Sequence, residues 1–409
     1  MKLSITARNI APCRIDLPAS KSLFNRAIVI GALSGCIDGI SQGASCDDAA
    51  VMLRAIASTS DTIDIQASGT AMRFLTALYS ITPGTRTLTG CNRMMQRPIG
   101  ALVDALREAG ATITYLGNEG FPPIRIEGSK LHGGRIAIRG DISSQFISAM
   151  LLIAPYMTQG LQLDIEGEIT SRPYIDMTIG VMQHYGASVR CDGNTICVDA
   201  LPYTPRELSI EKDWSAASYW YEIAATTATQ FTMAHLAQHS LQGDKRMAHY
   251  YTLLGVTTQY DAESTVIGHT AVETEQDVIR LNLRNEPDLA PAFIMACALN
   301  DRHFCIEGLD NLSIKECDRT AAIISEAAKL GYRFTQPQHG TIAWHGERCD
   351  KEQPIVIDPH NDHRIAMAFA PAALRHDTIW IDNPQVVSKS YPTFWEDLKK
   401  AGFHITTHP

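Results

Sequence analysis

Little in this sequence points to a metal or a disulfide framework. Its ten cysteines include no Cys-x-x-Cys pair, which argues against structural zinc and against a stapled extracellular domain. Reduced thiols in a cytoplasmic protein are expected instead. No apolar stretch is long enough to span a bilayer; Ala149 to Tyr156 is the kind of run that a buried helix gives. Met1 to Arg8 lacks the long apolar core of a signal peptide. Neither a P-loop nor a dinucleotide fingerprint occurs. The formal net charge of −9 argues against a nucleic-acid binder with a broad basic surface. It leaves small anionic substrates open, because converging cations can focus positive potential in a cleft of an acidic protein.

What the chain does have is length and a diverged repeat. At 409 residues it exceeds one ordinary core, and two or three domains are expected. Helix-like stretches open near an arginine or lysine and close at a glycine suited to a helix C-terminus. They run from Arg97-Pro98 to Ala109-Gly110, from Arg172-Pro173 to Tyr185-Gly186, from Lys245-Arg246 to Leu254-Gly255, and from Asp318-Arg319 to Leu330-Gly331. A fifth, without the arginine, runs from Phe394 to Ala401-Gly402. The closing glycines recur at about seventy-residue intervals, too long for a solenoid unit. With β-like runs between them (Ile113 to Leu116, Ile124 to Ile126, Gly134 to Ile138), each unit reads as a small βαβ-type module, about six in all. Proline punctuation around Leu201 to Pro205, a strand-like Glu207 to Ile210 and a helix from Asp213 to Ala225 predict a domain boundary near residues 210–212.

Polar and cationic residues gather at the helix starts. In Asp16-Leu17-Pro18-Ala19-Ser20-Lys21-Ser22-Leu23, either Ser20 or Ser22 suits an N-cap, and Arg26 falls one turn after Ser22. Gly69 in Ser68-Gly69-Thr70 permits close backbone approach, with Thr70 as a helix cap. Arg97 precedes a proline suited to the first helical position, and Ser171-Arg172-Pro173 repeats that arrangement. Ser143, Ser144 and Gln145 open another helix, while Asp288 is placed to cap the run Leu289 to Leu299. As one helix start, Asn311 to Arg319 would set Lys315 and Arg319 on one face, like charges that suit an intervening anion. Asp358 to Arg364 weakly suggests a metal site, but no other ligand cluster supplies partners. Ser388-Lys389-Ser390 repeats the first motif. If these helix starts face one cleft between two domains, Lys21, Arg26, Arg73, Arg97, Lys315, Arg319, Arg364 and Lys389 need a highly charged occupant. Two ligands, each with a phosphate and a carboxylate, would bring roughly five to six negative charges.

Taken together, Leu17 to Ser22 with Asn25-Arg26-Ala27, Gly69 to Arg73, Arg97 to Gly100, Ser143 to Phe146, Lys315-Glu316 with Asp318-Arg319, and Asn361 to Arg364 resemble the 5-enolpyruvylshikimate-3-phosphate synthase family along almost the whole chain. The resemblance implies an α/β fold of two similar domains, each of three βαβαββ repeats, with helix N-termini facing an interdomain cleft. It places residues 1–18 with 212–409 in a discontinuous domain carrying the acid/base and phosphoenolpyruvate residues, and 19–211 in a domain with most shikimate 3-phosphate residues. The implied reaction joins phosphoenolpyruvate to the 5-hydroxyl of shikimate 3-phosphate and releases phosphate, without metal or organic cofactor.

Position by position, the resemblance implies Lys21, Ser22, Arg26, Ser143, Ser144, Gln145, Ser171, Asp288, Asn311 and Lys315 as shikimate 3-phosphate residues. Lys21, Gly69, Arg97, Gln145, Arg319, Arg364 and Lys389 are implied for phosphoenolpyruvate. It further implies Asp288 as base and Glu316 as proton donor to carbon, with Lys21 and His363 assisting; which carboxylate moves which proton stays open. The expected partners are these two small anions, with no nucleic acid and no membrane, and the expected state is a monomer. Two departures stand out: Ala19 and Ala67 occupy positions where the family usually has Gly and Asn. The alternatives are a UDP-N-acetylglucosamine enolpyruvyl transferase and a non-catalytic anion-binding module. Cys91 lacks the Gly-rich loop of the first, and the second needs cations but not the Asp288 and Glu316 pair.

Overall fold

The computed structural model describes residues 1–38, 40, 43, 46–270 and 277–409. The chain divides into two compact units, one of Met1–Pro18 with Glu211–Pro409 and one of Ala19–Ile210. Each buries its own apolar core. In the discontinuous unit the two segments are tied by a backbone bond from Asp213 N to Pro18 O of 2.9 Å and by the ion pair Lys212–Asp16 at 2.6 Å.

One module recurs. The strand Thr62–Asp64 leads into the helix Gly69–Ile81, the parallel strand Gly84–Thr89, the helix Gly100–Glu108 and the antiparallel pair Thr112–Tyr115 and Ile124–Gly128. The same βαβαββ order repeats with the strands Gly134–Arg139, Leu161–Glu166, Val189–Asp192 and Thr195–Val198 around the helices Ser144–Ile153 and Arg172–His184. Alternation in Gly134–Arg139, where Ile136 and Ile138 point inward between exposed residues, gives that strand one buried face.

In the discontinuous unit the first strand of one sheet comes from the N-terminus: Cys13–Ile15 runs parallel to Phe231–Ala234, followed by Ser264–His269 and Val256–Tyr260. A second sheet holds Val278–Asn282, His303–Glu307 and Ile342–Trp344. The last runs Val356–Ile357, Ile379–Asp382, Lys2–Ala7, Phe403–His408, so the N-terminal strand lies between two late ones. The described residues therefore hold two sheets in the central unit and three in the other. The first module of the central unit shows the helices Lys21–Ser34 and Asp47–Ala57, with residues 39, 41, 42, 44 and 45 of their connection outside the described set.

The five closing glycines all follow helix ends with positive φ: Gly110 at +105°, Gly186 at +88°, Gly255 at +80°, Gly331 at +90° and Gly402 at +104°. That backbone disfavours any Cβ, which explains why the repeat shows in glycine. The helices Trp214–Thr227 and Ala290–Leu299 are buried on nearly every side. Within the first, Glu222 is fully buried with neither carboxyl oxygen hydrogen-bonded among the described residues, and burial holds its carboxyl well above the usual range.

Several local expectations fail. Residues 207–210 form no strand. The stretch from Lys245 to Leu254 is a chain of short turns, Gly243–Arg246, Met247–Tyr250 and Tyr251–Leu254, rather than one helix. Ser68, not Thr70, caps the helix Gly69–Ile81, accepting from Ala71 N. Ser20 occupies the N-cap position before Lys21, but its hydroxyl makes no cap bond. Asp288 is not the N-cap of the helix Ala290–Leu299, a position that Leu289 takes: it sits inside the 3-10 turn Pro287–Leu289, and arginines bind its carboxylate. Lys315 and Arg319 do not share a helical face, because the 3-10 turn Asp310–Ile314 ends at Lys315 and a new helix, Arg319–Lys329, starts under an Asp318 cap.

Candidate active site

In both units the candidate residues lie where parallel strands hand over to helices, the end of an α/β module that presents free backbone N–H groups.

In the central unit the first helix anchors the set. Arg26 is 3% exposed and donates to Ser22 O at 2.8 Å, Tyr174 O at 3.0 Å, Thr178 Oγ1 at 2.7 Å and Ser148 Oγ at 3.3 Å. Its guanidinium lies over the Phe74 ring, 5.4 Å from the centroid. Burial pulls its pKa down to about 10. Every partner is neutral, so the positive charge has no carboxylate against it among the described residues. Through these bonds Arg26 ties its own helix to the two that begin at Ser144 and Arg172.

Lys21, at the start of the first helix, pairs with the buried Asp48 at 3.0 Å. Asp48 lies in the first turn of the helix Asp47–Ala57. Sequence reading passed it over, since no local spacing links residues 21 and 48.

Gly69 begins its helix against Arg97: a Cβ there would lie 2.6 Å from Arg97 Nη1. Arg73 fixes this closeness by donating to Gly69 O at 3.1 Å and Pro98 O at 2.8 Å, binding the glycine turn to the segment that bears Arg97. Gln145 Nε2 donates to Thr70 Oγ1 at 3.3 Å, and Ser143 caps the helix of Gln145 by accepting from Gln145 N at 3.3 Å. Lys21, Gly69, Ser143, Ser144, Gln145 and Ser171 are thus all held at helix starts, Ser171 with a left-handed φ of +55°, whereas Arg97 closes the 3-10 turn Met94–Gln96 and the next helix starts only at Gly100, beyond the Pro98 expected at its first position.

In the discontinuous unit the cations are bound by acids. Arg319, 1% exposed, donates through Nη1 to Asp288 Oδ1 at 2.8 Å, through Nη2 to Glu316 Oε2 at 2.9 Å, and through Nε to Asp362 Oδ2 at 2.7 Å. Arg364 Nη2 donates to Asp288 Oδ2 at 2.6 Å, and Lys389 Nζ lies 3.1 Å from Glu316 Oε1. Three cations and three carboxylates form one continuous network. Burial alone would raise the Asp288 carboxyl, but Arg364, Lys315 and Arg319 outweigh it and hold it far below the usual carboxylate range. Burial works against the Arg319 charge, and Asp362, Glu316 and Asp288 more than restore it.

Asp362 also caps the helix His363–Phe369, accepting from Arg364 N at 2.9 Å, and so sets the direction of Arg364. Asp362 belongs to the stretch Asp358 to Arg364, whose Asp-x-x-x-Asp-His pattern weakly suggests a metal site; in the structure it caps the helix that carries Arg364. His363 is 1% exposed, with Nδ1 3.5 Å from Asp362 Oδ1. Asn311 lies in the 3-10 turn Asp310–Ile314, and Lys315 follows it.

A second missed acid is Asp244, 3% exposed and bonded by the Ser215 hydroxyl. Burial pushes its carboxyl up to about 7, with the Asp288 charge adding to the rise. Its sequence setting, Gly243-Asp244-Lys245, reads as an ordinary turn. Among the described residues no group of three or more His, Cys, Asp or Glu side chains could hold a metal ion, and no helix is long and apolar enough to cross a membrane.

The family profile described as EPSP synthase (3-phosphoshikimate 1-carboxyvinyltransferase) matches residues 53–398. A 3-phosphoshikimate 1-carboxyvinyltransferase from Bacteroides fragilis is 48% identical over 99% of both chains. One from Methanospirillum hungatei is 34% identical over 94% of both. Among solved structures, an EPSP synthase from Acinetobacter baumannii shares the fold with a TM-score of 0.76 at 21% identity, covering 99% of this chain and 100% of that one. The enolpyruvyl transferase NikO from Streptomyces tendae shares it with a TM-score of 0.71 at 16% identity, covering 100% of this chain and 99% of that one. By its sequence the chain belongs to the EPSP synthase family.

Proposed function

We propose that this chain transfers the enolpyruvyl group of phosphoenolpyruvate to the 5-hydroxyl of shikimate 3-phosphate and releases phosphate. The observation that carries the reading is the Arg319 network, in which two candidate proton-transfer groups, Asp288 and Glu316, are bound by the very cations that anionic substrates would engage.

Lys21, Ser22, Arg26, Ser143, Ser144, Gln145 and Ser171 of the central unit, with Asp288, Asn311 and Lys315, serve shikimate 3-phosphate. Lys21, Gly69, Arg97, Gln145, Arg319, Arg364 and Lys389 serve phosphoenolpyruvate. Residues 19–211 thus supply most of the shikimate 3-phosphate ligands, and 1–18 with 212–409 supply the acid/base chemistry. The charge without a carboxylate on Arg26 supports an anion-binding role in its neighbourhood, delivered through Ser22 and the helix starts it braces.

The methylene carbon of phosphoenolpyruvate must gain a proton before its neighbouring carbon accepts the hydroxyl oxygen. Glu316, a carboxylate while Arg319 and Lys389 hold it, takes up a proton from solvent once the substrate anions draw those cations away, and passes it to that carbon, while Asp288 takes the one leaving the 5-hydroxyl. With its pKa held far down by arginines, Asp288 is a poor base. When substrate carboxylate and phosphate draw Arg319 and Arg364 to themselves, the forces depressing Asp288 weaken and it becomes able to accept a proton. In the second step the new methyl group returns a proton to the Glu316 carboxylate, its C–H electrons re-form the double bond, and phosphate leaves with the electrons of the carbon–oxygen bond, with Lys21 and His363 assisting.

The test is phosphate release from phosphoenolpyruvate with shikimate 3-phosphate or UDP-N-acetylglucosamine as acceptor. Release with the first supports the reading. Release only with the second selects the other enolpyruvyl transfer, and binding without release selects a non-catalytic module.

A further inference from the structure

The turn from Asp358 to Asp362 has a backbone that side chains resist. His360 and Asn361 have φ of +52° and +57°, and neither is glycine. The turn is gripped from the helix Arg319–Lys329 at two points on one face, because seven residues make about two turns. At one end Arg319 holds Asp362. Two turns on, the buried Glu326 accepts from Asp358 N at 2.9 Å, and its Oε1 lies 2.9 Å from His360 Nε2.

Lys329 Nζ adds an ion pair to Glu326 at 2.6 Å. A carboxylate so paired only accepts, so His360 Nε2 carries the proton of that bond. From the turn itself Asp358 Oδ1 accepts from His360 N at 2.7 Å, and Asp358 Oδ2 lies 3.8 Å from His360 Nδ1. Asn383 Nδ2 donates to Asn361 Oδ1 at 2.9 Å. The proposed proton transfers use none of these groups.

We propose that His360 is a positioning residue for the reaction: through Glu326 it locks the left-handed turn that sets Asp362 against Arg319 and starts the helix bearing Arg364. It touches no reacting atom. The inference rests on the assignment of Arg319 and Arg364 to phosphoenolpyruvate.

Steady-state kinetics of the full chain with both substrates test it. His360→Leu removes the donor and should raise the KM for phosphoenolpyruvate about tenfold, leaving kcat and the KM for shikimate 3-phosphate within about threefold. His360→Gln, whose amide N–H can reach Glu326, should recover most of that loss, and Glu326→Gln should reproduce the Leu pattern. The proposal is overturned if His360→Leu leaves the phosphoenolpyruvate KM unchanged. It is equally overturned if all constants move together and Gln rescues nothing. Should His360→Leu prove insoluble, Glu326→Gln decides: a lower unfolding temperature with unaltered kinetic constants also overturns it. Arg319→Lys separates the two levels of the argument. If that variant leaves the phosphoenolpyruvate KM untouched, the site assignment fails, whatever the His360 variants do.

Discussion

Two sets of buried arginines, one in each unit, are held by different means. In Ala19–Ile210, Arg26 is surrounded by two carbonyls and two hydroxyls, and Arg73 is fastened to two carbonyls. In the discontinuous unit Arg319, Arg364 and Lys389 share Asp288, Glu316 and Asp362. Neutral partners leave a guanidinium's charge available to a ligand and keep its geometry fixed. Carboxylate partners cancel that charge until a competing anion arrives, and each carboxylate displaced becomes more basic. One arrangement suits holding an anion; the other suits coupling its arrival to proton transfer.

The hardest test of that contrast is Asp288→Asn. It should lower kcat about 10³-fold, a size ordinary for loss of a general base, while shikimate 3-phosphate still binds in calorimetry. Collapse of binding with kcat intact would show that the carboxylate serves only to hold arginines. Next in size is Asp362→Ala, which takes one of three carboxylates from a fully buried Arg319 together with the cap on Arg364 N, and should cost about 3–5 kcal/mol in denaturant unfolding. Thr178→Val removes only a neutral partner of Arg26 and should cost about 1–3 kcal/mol; equal losses in the two variants would erase the distinction.

A smaller, kinetic effect is expected from Gly69→Ala. The new Cβ would press on Arg97, so the KM for phosphoenolpyruvate should rise about tenfold with kcat less affected. Smallest is Glu222→Met, a control acid in the same unit as Asp288 but with no cation bonded to it among the described residues. Burial raises its folded pKa, so above the ordinary glutamate range the folded state retains a proton that the unfolded chain has lost. Stability contributed by this group therefore falls as pH rises from there toward the folded pKa. The methionine variant should gain about 1–2 kcal/mol at pH 8 and lose that slope in unfolding titrations. An unaltered pH slope would mean that Glu222 is not the group responsible.

How far such a site can be read without coordinates depends on whether the signal is local. The closing glycines were legible because positive φ excludes nearly every other residue, and the helix starts because proline, serine and aspartate have local backbone reasons to stand there. Asp48 and Asp244 were not legible: each matters through a partner brought near by tertiary packing, and each sits in an unremarkable turn or helix start. Lys315 and Arg319 were misjudged for a related reason. Their four-residue spacing suggested one helix, but Asp318 is the better cap and starts a new one at Arg319. The strand-like reading of Glu207 to Ile210 failed because alternation alone does not supply a pairing partner.

The strand Lys2–Ala7 lies between Ile379–Asp382 and Phe403–His408, with Lys2 opposite His408. On a ribosome adding about 5–20 residues per second, roughly 20–80 s separate the emergence of those two partners. The central unit is fully extruded long before then and can fold on the nascent chain. Lys2–Ala7, although made before either partner, is thus among the last pieces seated, and its pairing with Phe403–His408 waits until both strands have left the ribosome.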